Sequence, residues 1–300
     1  MQKAENPLRR ADRWVFASED ARRLASVRIG LCTLLALRLA SNDSAAVAAG
    51  HTRFHPHFYM SLFERMPSQE LASALQICGI VFALIAAAGL ALRASLPLAL
   101  GCGLILDGML NSAGRVIVGD AVLVLCLLVL LASGTAASDA WSIRKPLRGN
   151  RTSNGARYGW PIRTAMVAVA FAYFFAGFQK WRYSGLAWVT SDNLRWILYG
   201  QSHPNGWALF VADRPLLAHV LAACSLLLET CFPLVLFIPK LRWLLIPAAV
   251  AMHVGVRLAI GLDYSAQWLT TVIVFVNWPV VVGWLRSAVA PVPRPREASR

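Results

Sequence analysis

The sequence predicts an all-α polytopic membrane protein of about eight transmembrane helices. Three observations carry that expectation. The 300 residues are 57% hydrophobic and only 15% charged, with a mean hydropathy of +0.55. The apolar residues gather into runs of about 20, the length that crosses a 30 Å hydrocarbon core. The basic residues fall between these runs, as they do in loops that stay on one side of a bilayer. A water-soluble core cannot absorb so much apolar surface, so the lipid bilayer is the expected partner.

Taken in order, residues 1–23 are polar and basic, with no apolar stretch or small-residue cleavage site of the secretory kind, so the first apolar run is expected to stay as an anchor. Helices are predicted near 24–40, 71–92, 95–111, 117–133, 162–179, 216–238, 243–260 and 266–285. Pro97 falls in the predicted first turn of the third, where its missing N–H costs little, and Pro161, Pro215 and Pro279 punctuate other ends. The transmembrane domain is thus 24–285, followed by a basic tail at 286–300.

With the N-terminus inside, nineteen Lys/Arg fall in inner segments and eight in outer ones, with Arg28 and Arg38 within the first span. That bias predicts an inner (plasma) membrane protein with both termini cytoplasmic. The same reading accounts for the net charge of +14 and excludes nucleic acid, because no basic run is interleaved with exposed aromatics. The six cysteines lie in apolar stretches with no CxxC and read as small buried hydrophobes. His51, His55 and His57 share an outer loop without zinc-type spacing, so no metal is expected. A second outer segment, 181–215, holds Trp181, Tyr183, Trp188, Trp196 and Tyr199, the composition of a segment at headgroup level.

Polar groups inside lipid are costly and mark function. They are Arg28, Arg38, Asp107, Asp120, Lys180, Glu229, His253, Arg257 and Asp263. Arg38 is expected to snorkel outward and Arg28 to pair with a carboxylate such as Asp107. Lys180 closes a long apolar run, where it is either an interface anchor or a functional amine. Desolvation disfavours an ammonium and turns a lysine into a neutral base. His253 and Arg257 are one turn apart, and Glu229 sits mid-helix in the preceding span. An outer-leaflet site of Lys180, His253 and Glu229, with Trp181, Arg257 and Asp107 around a ligand, is the predicted constellation.

Residues 158–200, centred on Ala176-Gly177-Phe178-Gln179-Lys180-Trp181, resemble the lysine-bearing segment of the membrane domain of vitamin K-dependent γ-carboxylase. The bacterial branch of that group is the HTTM, or horizontally transferred transmembrane, family. A second block agrees: Leu226-Leu227-Leu228-Glu229 leads through Lys240-Leu241-Arg242 to Met252-His253 and Ile260-Gly261-Leu262-Asp263. Weaker matches are Arg28-Ile29-Gly30 and Leu106-Asp107-Gly108, and the resemblance covers about 24–285. It implies a lyase- or monooxygenase-type enzyme in which Lys180 takes a proton from a reduced quinone of the vitamin K hydroquinone kind. The quinol's reaction with oxygen then supplies a strong base for carboxylation. Two departures bear on the substrate. Asn111-Ser112-Ala113-Gly114-Arg115 has no histidine, and Trp181-Arg182-Tyr183-Ser184-Gly185 replaces an acidic and aromatic stretch. The carboxylase's lumenal β-domain is not expected either, so the implied substrate is a quinone or lipid rather than protein glutamate. Two other classes remain open from the residues alone: a transporter or ion or proton pathway, and a non-catalytic membrane assembly partner.

Overall fold

The computed structural model describes residues 6–50, 53–114, 120–143 and 154–289. Most of the described residues are helical, and the strands among them form one two-residue pairing. The helices are α1 (Pro7–Val15), α2 (Ala21–Ala40), α3 (Ser44–Ala49), α4 (Gln69–Ala87), α5 (Leu92–Ser112), α6 (Ala121–Ala132), α7 (Ala156–Ser184), α8 (Ala187–Thr190), α9 (Asn193–Tyr199), α10 (Gly206–Ala212), α11 (Pro215–Cys231), α12 (Leu234–Phe237), α13 (Arg242–Ile260), α14 (Ser265–Phe275) and α15 (Trp278–Val289). Strands β1 (Glu19–Asp20) and β2 (Asn154–Gly155) pair antiparallel. The predicted segments 24–40, 95–111, 162–179 and 243–260 are helical throughout, while 71–92, 216–238 and 266–285 are each interrupted and 117–133 is helical over Ala121–Ala132.

Five helices are long and apolar enough to cross a membrane by themselves: Ala21–Ala49 (α2 with α3), α4, α5, α7 and Pro239–Ile260. The number rises to seven if each of two bent pairs is one span. α10 meets α11 at 99°, and α14 meets α15 at 74°. The predicted run 266–285 is therefore not one rod. Val276 turns extended at ψ 133°, and Pro279 sits in the first turn of α15, where a missing N–H is tolerated. Pro233 likewise stops α11 at Cys231 and leaves α12 as a separate turn. α6 has 12 residues, about 18 Å, too short to cross a 30 Å core unaided. α5 starts three residues before the predicted helix, which places Pro97 inside it. Leu37, Ile77, Phe175, Leu227, Leu244 and Val280 expose their side chains on the helical surfaces. That pattern suits contact with acyl chains.

Central α2 packs against α4, α7, α14 and α6 and is buried along most of its length. Asp20 caps it by accepting the Arg22 N–H at 2.8 Å. α4 reaches its neighbours through small residues: Ala72, Ala83 and Ala86 are fully buried, and a Cβ at Gly79 would lie 2.9 Å from Leu39 and 3.0 Å from Cys102.

The end where α2 and α7 begin is basic and tied together. Arg23 reaches Glu19 at 2.7 Å. Arg163 reaches Glu19 at 3.0 Å and the Ala17 carbonyl at 2.6 Å. Gly159 allows this contact: a Cβ there would sit 2.0 Å from the Ala17 carbonyl oxygen. Gly159→Ala is expected to cost about 2–3 kcal/mol by forcing the backbones apart. Gly101→Ala, whose Cβ meets nothing within 4 Å, is expected to be neutral. Unfolding midpoints of the two variants in detergent check the contrast.

Arg28 does not pair with Asp107. Its fully buried guanidinium donates to the carbonyls of Ala87 at 3.2 Å, Ala140 at 3.3 Å, Trp141 at 2.5 Å and Ala137. The reason is geometric. These carbonyls lie at the end of α4 and in the turn after α6, and Gly89, at φ +74°, leaves room for the guanidinium between them. The charge is solvated by backbone dipoles in place of a counterion.

Candidate functional site

Along α7, Gly177, Lys180 and Trp181 lie three and four residues apart and so share one face. α11 packs on that face. A Cβ at Gly177 would lie 2.8 Å from Thr230 Oγ1, 2.9 Å from Thr230 N and 3.0 Å from Glu229 Cβ. The glycine therefore sets how closely α11 approaches. One turn later Lys180 Nζ donates to Glu229 Oε1 at 2.5 Å and Oε2 at 2.6 Å. Trp181 Nε1–H donates to Thr230 Oγ1 at 3.2 Å. The Lys180 side chain keeps 23% of its exposure and Glu229 only 8%. Trp188 of α8 lies over the amine, 5.0 Å from Nζ to the ring centroid. Sequence reasoning put Glu229 at one site with Lys180 without specifying a contact. The structure gives the amine both Glu229 oxygens and the face of Trp188.

His253 is buried on α13, and its Nε2 is 3.1 Å from the Tyr173 hydroxyl. Tyr173 lies seven residues before Lys180 on the same helix face. Its hydroxyl is also 3.4 Å from Thr271 Oγ1, and its ring stacks on Phe232 at 4.1 Å. On the other side the His253 ring lies 5.1 Å from the Tyr264 ring. Burial, and then the nearby negative Glu229, push the Tyr264 hydroxyl above its ordinary value. Glu229 and His253 therefore border one neighbourhood, with Tyr173 and Tyr264 between them.

The residue before Tyr264 opens a second polar group. Asp263 Oδ2 accepts from Arg38 Nη1 at 2.8 Å. Arg38 also grips Asp120 through Nε at 2.9 Å and Nη2 at 3.1 Å, the two-point geometry that suits a guanidinium. Two carboxylates from distant parts of the chain thus hold Arg38. Burial opposes the Asp263 charge, but hydrogen bonds from Ser265 and the Arg38 and Arg257 guanidiniums hold its carboxyl below the usual range. Asp107 stands beside this group. It accepts from Asn42 Nδ2 at 3.4 Å and lines a narrow cleft between α2, α5 and α6.

Both groups lie far from the basic end. At about 1.5 Å per residue, Arg38 is about 22 Å along α2 from Arg23, and Lys180 about 25 Å along α7 from Arg163. The predicted residues are thus distributed as follows. Lys180 and Glu229 touch, His253 meets Tyr173 two turns before Lys180 on α7, and Trp181 fastens the seam. Arg257 is 65% exposed, 3.8 Å from Asp263. Asp107 belongs to the second cleft. Tyr173, Thr230 and Tyr264 were not singled out in the sequence, and Trp188 was named there only as one of the aromatics of 181–215. The spacing of Tyr173 from Lys180 was a usable signal; the others depend on helix docking.

His51 lies outside the described residues, while His55 and His57 are exposed. Among the described residues, no three His, Cys, Asp or Glu side chains are placed to hold a metal ion. The segment 181–215 is not a loop. α7 runs on to Ser184, and α8, α9 and α10 follow. Leu198, Ala208 and Ala212 pack on Ala259 and Ile260 at the end of α13. Compared with known proteins, the chain matches no family model, no curated protein and no solved structure.

Proposed function

We propose that this protein is a membrane enzyme of the HTTM kind, similar to the γ-carboxylase membrane domain, in which Lys180 and Glu229 accept the hydroxyl proton of a quinol or a lipid-linked substrate. The observation that carries the reading is the two-point Lys180–Glu229 contact at 2.5 and 2.6 Å, half sheltered and open on one flank. Transfer of a proton along either bond leaves a neutral amine beside a neutral acid. The net charge of the pair stays zero in both states. The neutral amine then takes a proton from a bound hydroxyl within hydrogen-bond reach. A reduced quinone supplies hydroxyl protons and two electrons. An aromatic ring of that kind suits the flank, where Trp181 is exposed and Trp188 covers the amine. His253 and Tyr173 support the pair from behind, and Arg257 stands at the rim. Quinol-dependent oxygen uptake by the purified protein, lost in Lys180→Ala, tests the reading. Equal uptake in both would remove it.

The proposal includes eight crossings, with α6 and the two bent pairs counted as spans, in an inner (plasma) membrane with both termini cytoplasmic. The β1–β2 pairing supports placing the N-terminal segment and the start of α7 on one side. A cysteine introduced at Asn150 is expected to react with impermeant maleimide only from the cytoplasmic side of intact cells. Labelling from outside would reverse the topology.

A proton pathway is the second reading. It is favoured by the polar series from Lys180 and Glu229 through Tyr173, His253 and Tyr264 to Asp263, Arg38 and Asp120. Proton flux into liposomes without quinol separates it from the first.

A further inference from the structure

We propose that the 3₁₀ turn Phe58–Leu62 is an interfacial wedge, which inserts the Phe58 and Leu62 side chains among the acyl chains of the leaflet away from the basic end. The turn reads Phe-Tyr-Met-Ser-Leu and carries no charge. Met60 is buried, while Phe58 is 90% and Leu62 85% exposed. The turn is seated on α5. A Cβ at Gly108 would lie 2.7 Å from Met60 Cγ and Sδ and 2.9 Å from Tyr59 Cε2, so the glycine makes the seat. One turn deeper, the Leu104 carbonyl accepts from the Tyr59 hydroxyl at 2.6 Å. The Phe58 ring meets the Tyr59 ring edge to face at 5.9 Å, which ties it to the same level of α5.

The seat identifies what meets the exposed side. Pro97, Gly101, Leu104 and Gly108 are spaced four, three and four residues apart on α5, so they share one face. Pro97 and Leu104 are exposed on it. The turn thus covers the outward face of α5 near its end, and the apolar stripe below it continues into Phe58 and Leu62. At about 1.5 Å per residue, Leu104 lies about 17 Å and Gly108 about 23 Å along α5 from Arg93, within a 30 Å hydrocarbon core. The backbone keeps to the shallow end. The His55 N–H donates to the Ser112 carbonyl at 2.8 Å, the Met60 N–H to His57 at 3.1 Å and the Phe63 N–H to Met60 at 3.0 Å. These donors are satisfied, as a bilayer demands, and the side chains alone go deeper, as in an element lying at the interface. Phe58 holds φ +51°, a strained conformation for an aromatic residue. Transfer of the two apolar side chains from water into hydrocarbon offsets that strain. The inference does not use the Lys180–Glu229 pair, so either proposal can fail alone.

The test uses the full-length protein in phosphatidylcholine liposomes, with the photo-reactive residue p-benzoylphenylalanine in place of Phe58. Leu62 takes its place if size exclusion shows the first variant to be misfolded. Two other positions serve as references. Leu98 is exposed on the apolar surface of α5, and Glu64 is charged and exposed two residues past the turn. After irradiation, the mass of the intact protein reads the yield of chains carrying one lipid. The yield at the turn is expected to match that at Leu98 and to exceed that at Glu64 severalfold. A yield no higher than at Glu64 would place the turn in water and overturn the proposal. Cross-linked pairs of chains in place of the lipid adduct would assign the surface to a second copy and overturn it as well.

Discussion

Replacing Glu229 with leucine is expected to lower the stability of the protein by about 2–4 kcal/mol, and adding Lys180→Met to recover most of that loss. Glu229 is 8% exposed and meets Lys180 with both oxygens. Without it the ammonium stays between α7 and α11 with no anionic partner. Removing one member of a buried pair costs about 3–5 kcal/mol; Lys180 keeps 23% of its side-chain exposure, so solvent screening reduces that figure. Replacing both members by apolar groups of similar size removes the stranded charge, which in other proteins is neutral or stabilising. The measurement is a double-mutant cycle on unfolding midpoints in detergent. A double variant as unstable as Glu229→Leu would show that the pair holds the seam for reasons other than its charge. A stable double variant without activity would show that the polar pair is kept for its chemistry.

Much of the fold was legible because apolar length and proline placement are local properties. The runs at 71–92 and 162–179 became α4 and α7, and Pro279 marked the start of α15. What escaped was the internal geometry of a span. Hydropathy does not distinguish a straight helix from two helices meeting at 74°, since both bury the same residues. The segment 181–215 folds into short helices because Leu198, Ala208 and Ala212 find Ala259 and Ile260, a contact with no local signature.

The site divides in the same way. Lys180 and Glu229 were visible as charges within apolar runs, and a charge at that depth needs a partner. Which partner was a matter of helix docking. Arg38 and Asp120 are 82 residues apart and Arg38 and Asp263 are 225 apart, so neither pair has a sequence pattern. The expectation that Arg28 pairs with Asp107 failed because backbone carbonyls of buried turns serve a guanidinium as well as a carboxylate does. Tyr173 was within reach of sequence reasoning, at two helical turns from Lys180 on the face that carries the polar groups.

The central claim is that Lys180 gives up and takes a proton, and Lys180→Arg tests it most directly. An arginine can keep a contact with Glu229 and can hold the same interfacial depth, so an anchoring role survives the exchange. A base role does not, because a guanidinium stays protonated at any working pH. The measurement is quinol-dependent oxygen uptake by the arginine variant, purified in detergent and shown by size exclusion to be folded. The account predicts a fall of about a hundredfold or more, the scale of a lost proton-transfer group. Uptake at the wild-type rate in the well-folded arginine variant would contradict it and leave Lys180 as an anchor between α7 and α11.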